Sequence, residues 1–295
     1  MEYTNNHNLP QPIVSAIRRD TYVKVGDISV TELIKPLRIR QLELRHDKEI
    51  IVDVSEYLWM LLGSSVHAML ERADTSNHLS EERLTPVVHG CHISGTPDLL
   101  TTEMTLQDYK VTSVYSFLLG DKPEWTAQLN LYAWLYRKHG FEAKAAQIVA
   151  ILRDWMVSRA LREPDYPQAG FMVVDVPLWS QEEQEALVGG LVRLHQTADK
   201  VVDNDLPECT PEERWQKEDV WAVKKKGNKR AMSGGLYTNE QGAKDHAAAQ
   251  PSPVEIEFRP GESIRCSRYC KVAPWCNWWA VNKPPDIEQI QKEGE

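Results

Sequence analysis

The sequence predicts an α/β fold, because helix-like and strand-like segments alternate along the chain. Residues 51–74 repeat apolar side chains every three or four positions, which is the pattern of a long helix. Residues 86–101 and 104–112 alternate apolar and polar side chains and therefore predict two strands joined by a turn. Residues 123–139 begin with a proline and precede a glycine, which are boundaries typical of a second helix.

The remaining elements extend this alternation in both directions. A helix is expected over residues 30–44, and strands are expected over residues 145–153 and 171–178. Residues 180–203 start with a serine that has a glutamate three positions later, a capping-box pattern that predicts a further helix. A short strand is expected at residues 254–258.

Composition limits the class of protein. The chain has 295 residues, of which 42% are hydrophobic, enough for a large domain with an extension. No run of about 18 apolar residues occurs, and the polar N-terminal residues lack the apolar stretch of a secretory signal. We therefore expect a cytoplasmic protein, of a bacterium or a phage-infected host cell, without a membrane partner. The formal charge of −9 counts mildly against a nucleic-acid ligand but leaves local basic patches open.

Changes in composition divide the chain into four segments. The C-terminal third is richer in proline, lysine and cysteine than the α/β part, and the last residues are polar and acidic. The expected segments are an N-terminal helical segment, an α/β core, a cysteine-ligated extension and a flexible tail, over residues 1–50, 51–205, 206–283 and 284–295.

Two carboxylates and a lysine stand out within residues 94–112. Asp98 follows a proline, and Asp108 and Lys110 lie two positions apart shortly after it. On a strand, residues two apart share one face, and Asp98 can reach them from the neighbouring strand. Clustered carboxylates are costly unless a cation lies between them, and oxygen ligands suit a divalent metal ion. Lys110 can hold or polarise a water beside such an ion, so the pattern predicts a site that hydrolyses a phosphodiester.

Two pairs of residues at helical spacing add to this set. His67 shares a helix face with Glu71, and Gln128 shares one with Tyr132. His67 is either a core histidine among apolar neighbours or a metal ligand, and Glu71 either orients it or faces solvent. Gln128 and Tyr132 either lie at the rim of an amphipathic helix, contact the substrate strand or hold the lysine in place.

These motifs resemble those of the PD-(D/E)XK nuclease superfamily, and within it the RecB-like, Cas4-like branch. The segments that carry the resemblance are GSSVHAMLE, GTPD, DYK and QLNLY, in the order that the family has, and they span about residues 57–153. The resemblance implies a restriction-endonuclease-like core, in which a central mixed sheet is flanked by helices. It also implies a metal-dependent deoxyribonuclease.

The same resemblance assigns roles to residues of this chain. It implies that Mg²⁺ or Mn²⁺ is held by three side chains and one backbone carbonyl, those of His67, Asp98, Asp108 and, for the carbonyl, Tyr109. Lys110 would assist the attacking water and stabilise the developing charge, while Gln128 and Tyr132 would place the DNA.

The cysteines indicate a second site. Three of the five cysteines form a C-x3-C-x5-C pattern at Cys266, Cys270 and Cys276, with Cys209 as an upstream fourth ligand. Thiolates at this spacing bind zinc or an iron–sulfur cluster. Several RecB-like nucleases carry a 4Fe–4S cluster on such a trio and one distant cysteine, so the resemblance favours the cluster. The first spacing and the place of the distant cysteine depart from the family pattern, which leaves Zn²⁺ and a metal-free site open. Cys91 is expected to be a small buried hydrophobe.

A basic run lies between Cys209 and the cysteine trio. Residues 215–237 are expected to form a two-stranded insertion that carries five cations at its tip, Lys224, Lys225, Lys226, Lys229 and Arg230. These side chains either bind the phosphate backbone of DNA or form a solvated loop.

The expected function is therefore a metal-dependent DNA exonuclease or end-processing nuclease. No G-x-x-x-x-G-K-[ST] phosphate loop occurs, which favours a stand-alone nuclease or a subunit over a helicase. Its expected partners are single-stranded DNA or duplex ends, with proteins of recombination, repair or phage DNA processing, and an oligomer stays open. The alternatives are a sequence-nonspecific endonuclease and a non-catalytic DNA-binding or scaffold protein that retains the nuclease fold.

Overall fold

The computed structural model describes residues 1–19, 25–73, 78–118 and 122–284. The helices in this part of the chain are α1 Gln11–Arg19, α2 Val30–Leu33, α3 Leu37–His46, α4 Leu58–Ala73, α5 Val114–Leu118, α6 Pro123–Lys138, α7 Val157–Ala160, α8 Gln181–Ala198, α9 Glu240–Ala248, α10 Ile264–Arg268 and α11 Asn277–Asn282. The strands are β1 Glu2–Thr4, β2 Ile28–Ser29, β3 Ile51–Asp53, β4 Leu79–Ser80, β5 Val87–Val88, β6 Cys91–Ser94, β7 Leu99–Leu100, β8 Thr105–Thr112, β9 Ala145–Leu152, β10 Phe171–Val176, β11 Val220–Lys225, β12 Leu236–Tyr237 and β13 Val254–Arg259. None of these helices is both long enough and apolar enough to cross a membrane.

The chain divides into two compact units. The first comprises the described residues of 1–35 and 47–201, and the second comprises 36–46 with the described residues from 202 onward. The boundary after residue 201 lies close to the one predicted after residue 205. The predicted N-terminal segment 1–50 is shared between the two units, because its residues 36–46 group with the C-terminal part. The predicted tail, apart from residue 284, lies outside the described residues.

A mixed sheet of five described strands runs through the first unit, in the order β10-β9-β8-β7-β4. Strands β8 and β9 are parallel, and the other neighbouring pairs are antiparallel. A parallel pair needs a crossover connection, and α5 and α6 lie between β8 and β9 in the chain. The predicted α/β class is therefore confirmed, with mixed sheets flanked by helices.

Helix α6, predicted over residues 123–139, is a central element of the core. Five of its large apolar side chains are fully buried, namely Leu129, Leu131, Trp134, Leu135 and Tyr136. Burying one leucine side chain stabilises a fold by about 1.5–3 kcal/mol relative to leaving it exposed. Because apolar residues occupy every face of this helix, it gives the polar residues along it a rigid support.

Strand β8 brings a carboxylate into the interior by simple alternation. Leu106 and Asp108 lie two positions apart on the same face, and both are buried. In the parallel register with β9, Asp108 pairs with Ile148 and Lys110 with Ala150. Because these partners on β9 are apolar, the polar groups of Asp108 and Lys110 must be paired by other residues.

One predicted helix is divided in the structure, and another begins later than predicted. The predicted helix over 30–44 is split into α2 and α3 at Pro36, which lacks a backbone donor and restricts the residue before it. The predicted helix over 51–74 begins only at Leu58, because β3 and a 3-10 turn precede it. Asp53 and Glu56 form a capping box that starts this turn and ends the strand.

The predicted strand over 86–101 is three short strands, β5, β6 and β7. His89 and Gly90 have φ angles of 49° and 75°, which turn the chain between β5 and β6. Strand β6 is not part of the mixed sheet, and it pairs with β2 and β5 in a separate small sheet. Of these three strands, only β7 pairs with β8.

The second unit contains a sheet of three described strands, in the order β12-β11-β13. The predicted two-stranded insertion over 215–237 is only part of this sheet, because β13 also pairs with β11 along its whole length. Helix α9 is joined to β12 by a contact of 2.6 Å between Tyr237 Oη and His246 Nδ1. Helices α10 and α11 lie in the segment that carries the cysteine trio.

Candidate functional site

The antiparallel pairing of β7 with β8 places Asp98 beside Asp108. Leu99 pairs with Gln107, and the next positions along the two strands are the two aspartates. The backbone N–H of Tyr109 donates a hydrogen bond of 2.6 Å to Asp98 Oδ2. The backbone of β8 therefore holds the carboxylate that precedes β7.

Three residues of the first unit form a group that could hold a metal ion: His67, Glu81 and Asp98. His67 Nδ1 is 3.2 Å from Asp98 Oδ1 and 3.8 Å from Glu81 Oε1, and His67 Nε2 is 3.1 Å from the carbonyl oxygen of Tyr109. The two carboxylates, mainly through hydrogen bonds, raise the pKa of His67 to about 10. The carboxylates therefore favour a positive charge here, carried by the imidazolium or by a cation that replaces its proton.

Glu81 is the member of this group that sequence reasoning missed. It directly follows β4, whose pairing with β7 brings it to Asp98, and its backbone N–H donates to the Asp98 carbonyl at 3.2 Å. Its φ of 52° lies in the left-handed region, which is uncommon for a residue with a side chain. Strand β4 has only two residues, so no periodicity in the sequence signals the pairing that positions Glu81.

Asp108 forms an ion pair with Lys110 on the same face of β8. Lys110 Nζ lies 2.6 Å from Asp108 Oδ2. Burial raises the pKa of Asp108 to about 6, although the charge of Lys110 opposes this rise. Asp108 is not within 4.8 Å of all members of the His67 group. Of the four predicted metal ligands, the structure thus gathers His67, Asp98 and the Tyr109 carbonyl closely, while Asp108 contacts the lysine.

Gln128 and Tyr132 on α6 continue this chain of polar contacts. Lys110 Nζ donates to Gln128 Oε1 at 3.0 Å, and Gln128 Nε2 donates to the Tyr132 hydroxyl at 3.0 Å. Burial raises the pKa of Tyr132, which keeps its hydroxyl protonated. Of the predicted alternatives for this pair, holding the lysine is the one that these contacts match.

Two clefts meet at the His67 group. One has a volume of about 250 Å³ and includes Asp98 and Tyr109 in its lining. The other has a volume of about 660 Å³ and includes Tyr132 in its lining. His67 and Glu81 line both clefts, and so does Glu71, whose predicted place on the face of His67 agrees with this. A ligand in either cleft would lie against the candidate metal group.

The four predicted cysteine ligands line one pocket of the second unit: Cys209, Cys266, Cys270 and Cys276. Among the described residues, no three of their sulfur atoms lie within 4.8 Å of one another. Burial raises the pKa of Cys209 to about 12 and that of Cys270 to about 11. Without a metal these thiols are therefore neutral. Cys91 lies in the first unit and is partly buried against its core.

The basic run is partly neutralised by the sheet that carries it. Lys224 on β11 lies 3.8 Å from Glu255 and 3.4 Å from Glu257, both on β13. The other four cations, Lys225, Lys226, Lys229 and Arg230, are exposed at the end of β11 and in the turn after it. Of the five predicted DNA-binding cations, Lys224 is therefore already paired with glutamates of the neighbouring strand.

Comparisons with known proteins give little beyond this geometry. No family model matches the chain, and no curated protein matches it. Among solved structures, the crystal structure of SSO0001 is similar with a TM-score of 0.46 and 18% sequence identity, over 64% of this chain and 85% of that one. A likeness of this strength supports no conclusion about the chemistry of the site.

Proposed function

We propose that this chain is a metal-dependent nuclease with a restriction-endonuclease-like core, which hydrolyses phosphodiester bonds in DNA. The observation that carries the proposal is the ion pair of Asp108 and Lys110, which lies on β8 next to the group of His67, Glu81 and Asp98. A metal group beside a positioned lysine is an arrangement suited to attack on a phosphate.

The donor set of the group fits the proposed ion. Carboxylate oxygens, one imidazole and a neighbouring backbone carbonyl suit Mg²⁺ or Mn²⁺. His67, Glu81 and Asp98 would hold the ion, with the Tyr109 carbonyl beside them. A bound divalent ion supplies Lewis acidity at the phosphate and lowers the pKa of the attacking water.

The residues of the chain then perform the remaining tasks. The ammonium group of Lys110 has three donors, of which one faces Asp108 and one faces Gln128. Among the described residues no further partner of this group is found, and the proposal is that the third donor binds a phosphate oxygen and stabilises negative charge that develops during attack. Tyr132 fixes Gln128, so the contacts from α6 keep the lysine oriented before the substrate arrives.

The cysteine site is proposed to hold a 4Fe–4S cluster. The four cysteines line one pocket, and four thiolates can ligate either an iron–sulfur cluster or zinc. The resemblance of the cysteine trio to that of RecB-like nucleases favours the cluster. Thiols whose pKa is raised by burial become thiolates when a metal binds, so Cys209 and Cys270 need the group for their charged form. Zn²⁺ remains the alternative ligand.

The proposed substrate is a DNA end, in single-stranded or duplex form, and the proposed context is recombination, repair or phage DNA processing. The exposed cations after β11 would contact the phosphate backbone. A sequence-nonspecific endonuclease would use the same residues, whereas a DNA-binding scaffold would need no metal.

One experiment separates these activities. The protein is incubated with Mn²⁺ or Mg²⁺ and with linear or covalently closed circular DNA, each single-stranded and duplex. An exonuclease degrades only the linear forms, and an endonuclease also cuts the circles. Binding without cleavage in every metal concentration would support the scaffold and contradict the proposal. Asp108→Ala should abolish cleavage, whereas Glu103→Gln, in the turn at the other end of β8, should not.

A further inference from the structure

Arg38 on α3 is a buried arginine in the second unit. Only 3% of its surface is exposed. Its Nε donates to the Pro207 carbonyl at 3.0 Å, and its Nη2 donates to the carbonyl of Leu206. Its Nη1 donates to Asn277 Oδ1 and lies 3.8 Å from Cys276 Sγ. The guanidinium thus bridges the chain just before Cys209 and the start of α11, where Cys276 lies.

All these partners are uncharged when Cys276 is a thiol. Within the described residues, Arg38 has no carboxylate partner. An arginine keeps its charge in any protein environment, and a buried charge without a counter-ion is costly. Arg38 therefore has no anion in direct contact among the described residues, and a negative charge on Cys276 would supply one.

Charged side chains of both signs surround the cysteines, and the charge of Glu43 on α3 acts on Cys270. The pocket is lined by Arg38, Arg214 and Arg265, and by one carboxylate, that of Glu213. Arg214 stacks on Trp278 at 4.0 Å and Arg265 on Trp215 at 4.2 Å, both measured to the ring centroid. These two guanidiniums stack on aromatic rings, whereas Arg38 contacts a sulfur directly. A centre ligated by four thiolates is anionic and would place a negative charge beside Arg38.

We propose that Arg38 is a positioning residue whose charge stabilises the ligated Cys276 thiolate and sets the reduction potential of the cluster. This inference rests on the cysteine cofactor of the proposed function. A cationic donor to a ligand sulfur favours the more reduced, more negative state and so raises the potential. The same contact slows loss of the metal, because departure of the cofactor returns Arg38 to a buried site without an anion.

The test uses the full chain purified without oxygen, with three variants. Arg38→Gln removes the charge and keeps amide donors, and Arg38→Lys keeps the charge. Arg45→Gln is the matched control, because Arg45 lies on the same helix, pairs with Asp203 at 2.6 Å and is not among the residues that line the cysteine pocket. The readouts are the midpoint potential in a dye-mediated titration and the rate at which a chelator removes the metal.

We expect Arg38→Gln to have a more negative potential and to lose metal about tenfold faster than the wild type, as for loss of a charge-assisted hydrogen bond. Arg38→Lys should stay closer to the wild type, and Arg45→Gln should match it. A folded Arg38→Gln protein with the wild-type potential and release rate would overturn the proposal. Equal defects in the Gln and Lys variants would also overturn it, because the charge would then be irrelevant.

Two further outcomes are distinguishable. If Arg38→Gln does not fold, Asn277→Ala tests the same contact, because Asn277 orients the Arg38 nitrogen that faces Cys276. We expect a smaller shift of the reduction potential in the same direction. An unchanged potential would contradict the role of Arg38. If the wild type binds zinc, the cluster part of the proposed function fails. The role of Arg38 is then decided by the chelator rates alone, because a zinc site with four thiolates is also anionic.

Discussion

The ammonium group of Lys110 lies 2.6 Å from a carboxylate oxygen of Asp108, two residues earlier on the same strand. Asp108 is 2% exposed, and burial raises its pKa to about 6 even with this cation beside it. Ionisation of this carboxylate therefore costs free energy, and the lysine that pairs with it is held by α6 through Gln128. Such a cost at a fixed geometry is typical of a site used for chemistry.

The raised pKa of Asp108 predicts a pH dependence of stability in the metal-free protein. A carboxyl group whose pKa is higher in the folded state binds its proton more tightly there. The stability that this proton contributes is fully present below pH 4 and is lost as pH rises through about 6. The difference from the ordinary value of 3.8 corresponds to about 3 kcal/mol. Asp108→Asn should therefore match the wild type in urea unfolding at pH 4 and exceed it by up to this amount at pH 8. A stability difference that is the same at both pH values would contradict the assignment.

Glu81 should contribute to metal binding although the sequence does not point to it. Glu81→Gln removes one of the three candidate ligands, leaving His67 and Asp98, and should weaken Mn²⁺ binding by about tenfold or more. Calorimetry or the electron paramagnetic resonance signal of free Mn²⁺ measures this directly. The neighbouring Glu82, whose side chain is exposed, gives the matched control Glu82→Gln. Equal affinities in the two variants would exclude Glu81 as a ligand.

Gln128 should act on the reaction through the lysine. Gln128→Leu removes the acceptor that holds Lys110, so we expect kcat to fall by about tenfold to a hundredfold while KM changes little. Tyr132→Phe removes only the hydroxyl behind Gln128 and should have a smaller effect. Steady-state kinetics of both variants show which loss of kcat is larger, and circular dichroism checks that both variants fold. A larger loss in Tyr132→Phe would argue that the tyrosine contacts the substrate itself.

The cations after β11 should determine the salt dependence of DNA binding. Replacing Lys225, Lys226, Lys229 and Arg230 by alanine should flatten the plot of log affinity against log salt concentration by about 0.7–0.9 per lost phosphate contact. Lys224→Ala should leave the slope nearly unchanged, because Glu255 and Glu257 already pair with Lys224. Fluorescence anisotropy at several salt concentrations gives both slopes. An unchanged slope in the fourfold variant would remove this run from the DNA interface.

The residues that could be predicted from the sequence are those whose positions depend on local spacing. Asp108 and Lys110 share a face because a strand alternates every two residues, and Gln128 and Tyr132 share one because a helix repeats every four. Asp98 reaches Asp108 through a short hairpin between neighbouring strands. In each case the two partners are separated in the sequence by no more than one strand, turn or helix.

The residues that could not be predicted depend on contacts between distant segments. Glu81 reaches Asp98 through the pairing of two strands of two residues each, which leave no pattern in the sequence. Arg38 reaches Cys276 across 238 positions, and the break of the predicted helix at Pro36 is what separates α3 from α2. Local periodicity contains no information about such pairings, which are decided when the whole unit packs.

The decisive measurement for the proposed nuclease activity is cleavage of an end-labelled DNA oligonucleotide under single-turnover conditions as Mn²⁺ is titrated. We predict metal-dependent cleavage by the wild type and a loss of at least about a thousandfold in Lys110→Met. Lys144→Met, which changes an exposed lysine just before the parallel strand β9, should cleave at the wild-type rate. Cleavage by Lys110→Met at the rate of the wild type, or no cleavage by the wild type at any Mn²⁺ concentration, would contradict the assignment.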